Sequence, residues 1–301
     1  MKVETWQLQQ RQGLDLDLKI KKSKQIIKDW YKAFDGNVYV AFSGGKDSLV
    51  LLHLVRSVYP KIKGVFVNTG LEYPEIVDFV KSFENIEIIR PKMDFYSVLK
   101  KYGYPVISKN VSMAISRYRN TKDPIQKEYR KYGTKNGEFI GKAGVIPKKY
   151  WYLIDAPFKI GEQCCTVMKK QPFHKYEKET GLKPFIGLMA SDSNPRKVYY
   201  MKNGCNAFDS KDPKSLPLGF WMEADIWEYI KRFKVDYCSI YDTGVDRTGC
   251  MFCMFGLNKD DPKKNRFDIM KETHPQKYKY CMENLGLKDV LNTIKQQGDK
   301  K

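Results

Sequence analysis

The chain has 301 residues, 42% of them hydrophobic and 30% charged, with a formal net charge of +19. That apolar share supports a sizeable buried core and excludes a disordered chain, while 21 glycines and 14 prolines exclude collagen-like or low-complexity sequence. The charge excess predicts attraction to polyanions (nucleic acid, nucleotides or an anionic membrane surface) or simply a basic, soluble exterior. No stretch approaches the 18 or so consecutive apolar residues of a membrane-spanning helix. Residues Met1 to Gln12 are polar and lack the apolar centre of a signal peptide, so the expected compartment is the cytoplasm.

Residues 1–37 read as a helical segment, with apolar residues at Leu18, Ile20, Ile26, Ile27 and Trp30 in imperfect helical spacing. Val38 to Phe42 is short, β-branched and aromatic, a buried strand. It runs into Ser43-Gly44-Gly45-Lys46-Asp47-Ser48, after which Leu49 to Val55 is helical. Val65 to Val67 is a second strand, Tyr73 to Phe83 a helix beginning near Pro74, and Ile86 to Ile89 a third strand. Strand and helix alternating at this spacing predict a Rossmann-like α/β fold, a largely parallel sheet with helices on its faces.

Residues 101–150 break the rhythm. They hold twelve Lys or Arg against three acids, a net of +9, with six interleaved tyrosines. Basic plus aromatic composition suits phosphate contact and base stacking. Arg117, Arg119, Arg130 and Lys131 are the candidate phosphate contacts. The other reading is a solvated helical hairpin inserted in the α/β domain. Strand patterning returns at Phe185 to Leu188, and an amphipathic helix is predicted over Asp225 to Phe233. The polar tail from Lys288 to Lys301 is expected to fray. The expected organisation is a helical segment over 1–37, an α/β domain over 38–215 carrying the basic insertion, and a C-terminal helical region over 216–301.

Two places carry chemistry. The Ser43–Ser48 turn follows a strand and precedes a helix. Its glycines let the backbone approach an anion, and its amides with the helix N-terminus behind them favour phosphate. Ser43 and Ser48 add hydroxyls and Lys46 a charge. The spacing of a Walker A loop is absent. Of seven cysteines, Cys205, Cys238 and Cys281 stand alone and read as small buried hydrophobes. Cys164-Cys165 and Cys250-x-x-Cys253 are pairs, separated by 84 residues. Four thiolates can hold an iron–sulfur cubane; structural zinc and unliganded thiols are the alternatives.

Ser43 to Ser48 resembles the PP-loop of the adenine-nucleotide α-hydrolase superfamily, whose members grip the β,γ-pyrophosphate of ATP and cleave between the α and β phosphates. Val65 to Glu75, with Asn68-Thr69-Gly70, resembles the D-T-G-x-x-F/Y-P-E stretch of phosphoadenylyl-sulfate (PAPS) reductases. Cys164-Cys165-Thr166-Val167-Met168-Lys169 resembles the C-C-x-x-x-K of the adenylyl-sulfate (APS) reductase branch. Gly187 to Arg196 resembles a G-x-R-x-x-D/Q-S-x-x-R loop, with Met189 in place of its first arginine. Pro217 to Trp221 with Asp225-Ile226-Trp227 resembles P-L-x-x-W-x-x-x-D-I/V-W. The match runs over about residues 35–255, excluding the insertion.

The resemblance implies a [4Fe-4S] cluster on Cys164, Cys165, Cys250 and Cys253. Lys169 would then stand near cluster and substrate anion, unless it is merely solvated. It implies a nucleotide, ATP or APS/PAPS, on Ser43, Gly44, Gly45, Lys46, Asp47, Ser48, Asn68, Thr69 and Gly70, with Arg196 as a second phosphate contact. Asp47 would act at the Mg2+–pyrophosphate end or fix the turn. Lys46, Asp47, Lys169 and Arg196 are the candidate catalytic residues. Two departures stand out. The reductases' C-terminal Glu-Cys-Gly-Leu-His-like tail is missing, since no cysteine follows Cys281. The loop is complete, where reductases often carry a degenerate one. Both favour an ATP-using relative that adenylylates a substrate and transfers sulfur, with nucleic acid a candidate acceptor. The alternatives are an APS or PAPS reductase drawing a thiol from a partner protein, and a non-catalytic nucleotide-binding regulatory subunit.

Overall fold

The structure is a computed structural model describing residues 3–257, 260–261 and 263–296. Two helices lead in, α1 (Thr5–Gln12) and α2 (Leu16–Ala33). Asp15 starts α2 by accepting a hydrogen bond from the Leu18 amide at 2.8 Å. The α/β unit follows as β1 (Val38–Ala41), α3 (Lys46–Arg56), β2 (Gly64–Val67), α4 (Pro74–Lys81) and β3 (Ile86–Ile89). Pro74 sits in the first turn of α4, where its missing N–H costs nothing.

Next come α5 (Phe95–Tyr102), α6 (Lys109–Asn120) and α7 (Pro124–Tyr132), then a two-stranded hairpin, β4 (Thr134–Lys135) and β5 (Glu138–Phe139). The chain continues through α8 (Gln171–Thr180), β6 (Lys183–Ile186), α9 (Asn194–Asn203), β7 (Asn206–Ala207), β8 (Lys214–Ser215) and α10 (Glu223–Phe233). It closes with α11 (Arg266–Thr273), α12 (Pro275–Glu283) and α13 (Leu287–Gln296).

The six-stranded sheet runs β3-β2-β1-β6-β8-β7, parallel except where β7 meets β8. Alternate residues of β1 serve opposite faces, as strand pleating requires. Val38 and Val40 join the main core, whereas Tyr39 packs with Val65 of β2 and Tyr176 of α8. From β1 the chain builds outward to β2 and β3 on one side and returns later as β6 on the other. The order therefore reverses between β1 and β6, the crevice where open α/β sheets take ligands.

On one face α2 and α10 are tied by a polar contact under the core. Lys19, 2% exposed, meets Asp225 at 2.7 Å, and Ser23 accepts from Trp221 Nε1 at 3.0 Å and donates to the Pro217 carbonyl at 2.8 Å. The Pro217–Asp225 stretch thus docks two helices, and Asp225 compensates a lysine that burial would otherwise penalise.

Three expectations change. The insertion is a mixture of helix and hairpin, and α6 belongs to the body, with Val111, Ala114 and Ile115 in the core. Arg119 is no free phosphate contact: its guanidinium donates to the carbonyls of Leu153, Ile154, Ala156 and Phe158 at 2.6–2.8 Å. The tail does not fray over its first part. Leu287, Val290 and Leu291 of α13 are buried at 0%, 1% and 7% exposure, while residues 297–301 lie outside the described residues. Their i, i+3, i+4 spacing is that of a core-facing helix. Among the described residues no helix is long and apolar enough to cross a membrane.

Replacing the fully buried Leu287 by Ala should therefore cost about 2–5 kcal/mol. Urea denaturation measures it; a loss within error of zero would return α13 to the status of a loose tail.

Candidate functional site

The Ser43–Ser48 loop leaves the carboxyl end of β1 and becomes the first turn of α3, with Gly45 as its N-cap. Gly44 has φ +75°, and Gly45 lies so close to the 239–249 segment that a β-carbon there would sit 2.5 Å from Thr248 Oγ1. Ser48 Oγ fastens the turn from inside. It accepts from the Ser43 amide at 3.1 Å, lies 3.0 Å from Ser43 Oγ and donates to the Gly45 carbonyl at 2.9 Å.

A cavity of about 450 Å³ opens over this loop, walled by Gly187–Met189 after β6, by Arg196 and Glu223, and by Tyr241 and Arg247–Gly249. Loops after β1 and β6 thus face each other across the switch point. Lys46 is held rather than free. Its amide donates to Tyr241 Oη at 2.8 Å, and its ammonium lies 3.0 Å from Glu223 and 2.9 Å from the Asp246 carbonyl, over the rings of Trp227 and Tyr241. Arg196 pairs with Asp192 at the rim. Arg247, exposed, makes no ion pair among the described residues.

Asp47 Oδ1 is buried without a hydrogen-bond partner. Burial raises its pKa to about 6, and nearby Asp192 and Glu223 push the same way against Lys46 and Arg196. An orphaned carboxylate oxygen can serve as a single protein ligand to a hard divalent cation whose other ligands are water and substrate phosphates.

Asn68, Thr69 and Gly70 are placed differently from the loop. Asn68 Oδ1 accepts from the Gly70 amide at 3.0 Å, and Thr69 spends both its amide and its hydroxyl on Glu72 at 2.8–2.9 Å. None of the three lines the cavity; Glu72 does, and it reaches Lys169 at 3.5 Å.

Lys169 stands between the two halves of the site. It lines the cavity and is near enough to Cys250 and Glu72 to feel their charge. Burial works against its charge, but Cys250 and Glu72 outweigh that and hold it protonated. Cys164 and Cys165 Sγ are 3.9 Å apart, just before a π-helical turn at Thr166–Lys170, a local irregularity common at functional sites. Cys164 feels the charge of Cys165, Cys250 and Cys253, Cys250 that of Cys253 and Cys165, and Cys253 that of Cys165. The neighbouring Cys164 draws the Cys165 thiol down, with Lys109 and Lys169 adding to it, and the same contact pushes Cys164 up. Burial raises Cys250 to about 11. Among the described residues, no three His, Cys, Asp or Glu side chains converge tightly enough to hold a single metal ion.

The fold therefore brings the loop, Arg196, Lys169 and the four cysteines to one region. Sequence reading missed Glu72, Lys109, Glu223, Tyr241, Arg247 and Thr248. Tyr241, Arg247 and Thr248 lie within ten residues of Cys250, which was the available signal; Lys109 and Glu223 gave none. Cys238 and Cys281 are buried as expected, Cys205 only partly. Burial lifts the Cys281 thiol to about 12, far from the thiolate a nucleophile needs.

The raised Asp47 pKa has a stability consequence. The unfolded carboxyl ionises near pH 4 and the folded one near pH 6, so this group's contribution falls as pH rises through that window. Asp47→Asn should thus stabilise the protein by about 1–3 kcal/mol at pH 7 and by nothing at pH 3.5. Melting curves of the two proteins across that range test it; a pH-independent difference would contradict the burial argument.

Among known proteins, the phosphoadenosine phosphosulfate reductase domain model matches residues 37–255. An uncharacterised protein of Methanocaldococcus jannaschii is 27% identical over 85% of this chain and 50% of its own length. A second from that organism is 28% identical over 76% of this chain and 38% of its own, so the chain spans half or less of these curated relatives. An adenosine 5'-phosphosulfate reductase of Bacillus cereus is 23% identical over 81% of this chain and 86% of its own length. A PAPS reductase structure from Candida auris, a phosphate complex, aligns at TM-score 0.46 and 16% identity, covering 83% of this chain and 97% of that one. With its strand–loop–helix turn at Ser43–Ser48 and with the domain model spanning 37–255, the chain belongs to the phosphoadenosine phosphosulfate reductase domain family.

Proposed function

We propose that this family member binds ATP on the Ser43–Ser48 loop, cleaves it between the α and β phosphates to adenylylate a substrate oxygen with release of pyrophosphate, and lets a sulfide-level sulfur from a separate donor displace AMP from that substrate. The observation that carries the reading is Lys169, which lines the loop's cavity, lies 3.5 Å from Glu72 and is near enough to Cys250 to feel its charge. One ammonium can thus answer both a nucleotide phosphate and a thiolate set.

The loop amides, Ser43 and Ser48 would hold the β,γ-pyrophosphate. Tyr241 and Glu223 would hand Lys46 over to it, exchanging a hydroxyl and a carboxylate partner for phosphate oxygens. Asp47 would take Mg2+ through its orphaned oxygen. Arg196 would leave Asp192 for a phosphate, and Arg247 adds a second cation at the mouth. Asn68, Thr69 and Gly70 would act by positioning Glu72 and through it Lys169.

Cys164, Cys165, Cys250 and Cys253 would hold a [4Fe-4S] cluster. Cys164 and Cys165 lie 3.9 Å apart, Cys164 feels the charge of the other three, and Lys109 and Lys169 act on Cys165. Four thiolates give such a cluster its net negative charge, which the two lysines offset. When bound it would supply redox capacity and sulfur-binding iron. An APS reductase is the second reading, favoured by the similarity to curated reductases over most of the chain. Against it, the last cysteine is a buried thiol with a raised pKa.

Incubation with ATP and Mg2+ should give AMP and pyrophosphate; sulfite from APS instead would select the reductase. Lys46→Ala should weaken ATP binding by roughly 10- to 150-fold, the worth of one charge-assisted phosphate contact. Unaltered affinity would remove the loop from the nucleotide site. Protein purified without oxygen should carry about four irons per chain and lose them in Cys250→Ser. Stoichiometric zinc in colourless protein would end the cluster assignment.

A further inference from the structure

The segment between α6 and residue 151 has no part in the cavity, yet it is built with care. Helix α7 starts on Asp123, which caps the Ile125 amide at 2.9 Å, and ends on Gly133 in the left-handed region. Glu128 pins the hairpin, accepting from Thr134 Oγ1 at 2.6 Å and from the Asn136 and Gly137 amides at 3.1 and 2.9 Å. The return loop is tied by Tyr129 to the Ala143 carbonyl and by Arg130 to that of Gly144. No residue of α7 is buried, so the helix stands on the surface.

Two of the segment's three acids are consumed by these internal bonds, while its lysines are not. Lys122, Lys127, Lys135, Lys142, Lys148 and Lys149 are exposed and form no ion pair among the described residues. Beside them stand exposed apolar faces: Tyr132 at 55%, Phe139 at 64% and Ile140 at 59%. Lys131 lies 5.5 Å from the Tyr132 ring and 4.9 Å from that of Trp151. An uncompensated basic field with open aromatic rings matches the two needs of an unpaired strand, phosphate neutralisation and base stacking.

Placement adds a direction. Helix α6 begins just after Ile107, which bridges to Phe255 two residues beyond Cys253, and its last turn holds Arg119, whose four carbonyl bonds lock it to the 153–158 segment. Its twelve residues span roughly 18 Å, about the reach of three or four nucleotides of extended strand. We propose that α7 and the β4–β5 hairpin form a docking surface for a single-stranded stretch of nucleic acid, which leads an acceptor nucleotide along α6 toward the cysteine end of the site. This rests on the proposed function only for the word acceptor; strand binding itself does not.

Fluorescence anisotropy with a labelled single strand of about 16 nucleotides tests it, with the corresponding duplex and polyglutamate as comparisons. Salt titration should give a slope near −4 in log K against log salt, for about six phosphates at roughly 0.7 each. Lys127, Lys135, Lys142 and Lys149 replaced together by Ala should flatten the slope by about 3. Phe139→Ala should weaken single-strand binding roughly 5- to 150-fold and leave the slope unchanged. Unchanged melting curves show that these surface variants fold. Absence of binding at low salt, equal affinity for the duplex, equal affinity for polyglutamate or an unaltered slope in the lysine variant would each overturn the proposal. ATP cleavage in a protein that ignores the strand would sink this inference alone; strand binding without ATP cleavage would sink the proposed function alone.

Discussion

The structure turns on a lack of side chains at two consecutive positions. Where β1 ends, the chain must reverse into α3 while the 239–249 segment presses on it from outside. A β-carbon at Gly44 would lie 2.8 Å from Val80 Cγ2, and one at Gly45 2.5 Å from Thr248 Oγ1. With both absent, the turn is tight enough for Ser48 to brace it internally while its residues line one cavity. The buried packing of α3 behind the turn, with Leu49 to Leu52 at 1% exposure or less, fixes its direction.

The segment that presses on Gly45 also links the two halves of the site. Tyr241, Asp246 and Thr248 meet the phosphate loop, and two residues beyond Thr248 the chain reaches Cys250. The Met251 amide then bonds the Leu71 carbonyl at 2.8 Å, beside Glu72. Loop, Glu72, Lys169 and cysteines are consequently short steps apart in space, though they come from four separate stretches of chain. A change at Cys250 has a direct mechanical route to Lys46.

Charge divides the basic residues by task. Lys19 and Arg119 are spent on the scaffold, one against a buried carboxylate and one against four carbonyls. Lys46, buried, and Lys169, half-buried, line the cavity and are held by Glu223 and Glu72. The exposed lysines of the 122–149 segment answer to none of these, so most of the field that a polyanion would feel comes from such surface residues.

The strand–turn–helix pattern, the β1 to β3 sequence and α10 were legible in the sequence, because each rests on local periodicity and on glycine and proline punctuation. The tail helix was legible too in Leu287, Val290, Leu291 and Ile294, but its polar residues outweighed that spacing. What the sequence determined by itself was the family, the strand–turn–helix at Ser43–Ser48 and the paired cysteines, since those reside in contiguous residues. Which basic residues are structural, that Thr69 serves Glu72, and that Tyr241 and Glu223 hold Lys46 were decided only by the tertiary structure. These depend on partners 3 to 206 residues away, and a side chain's hydrogen bonds follow the neighbours that folding brings to it, which no local pattern encodes.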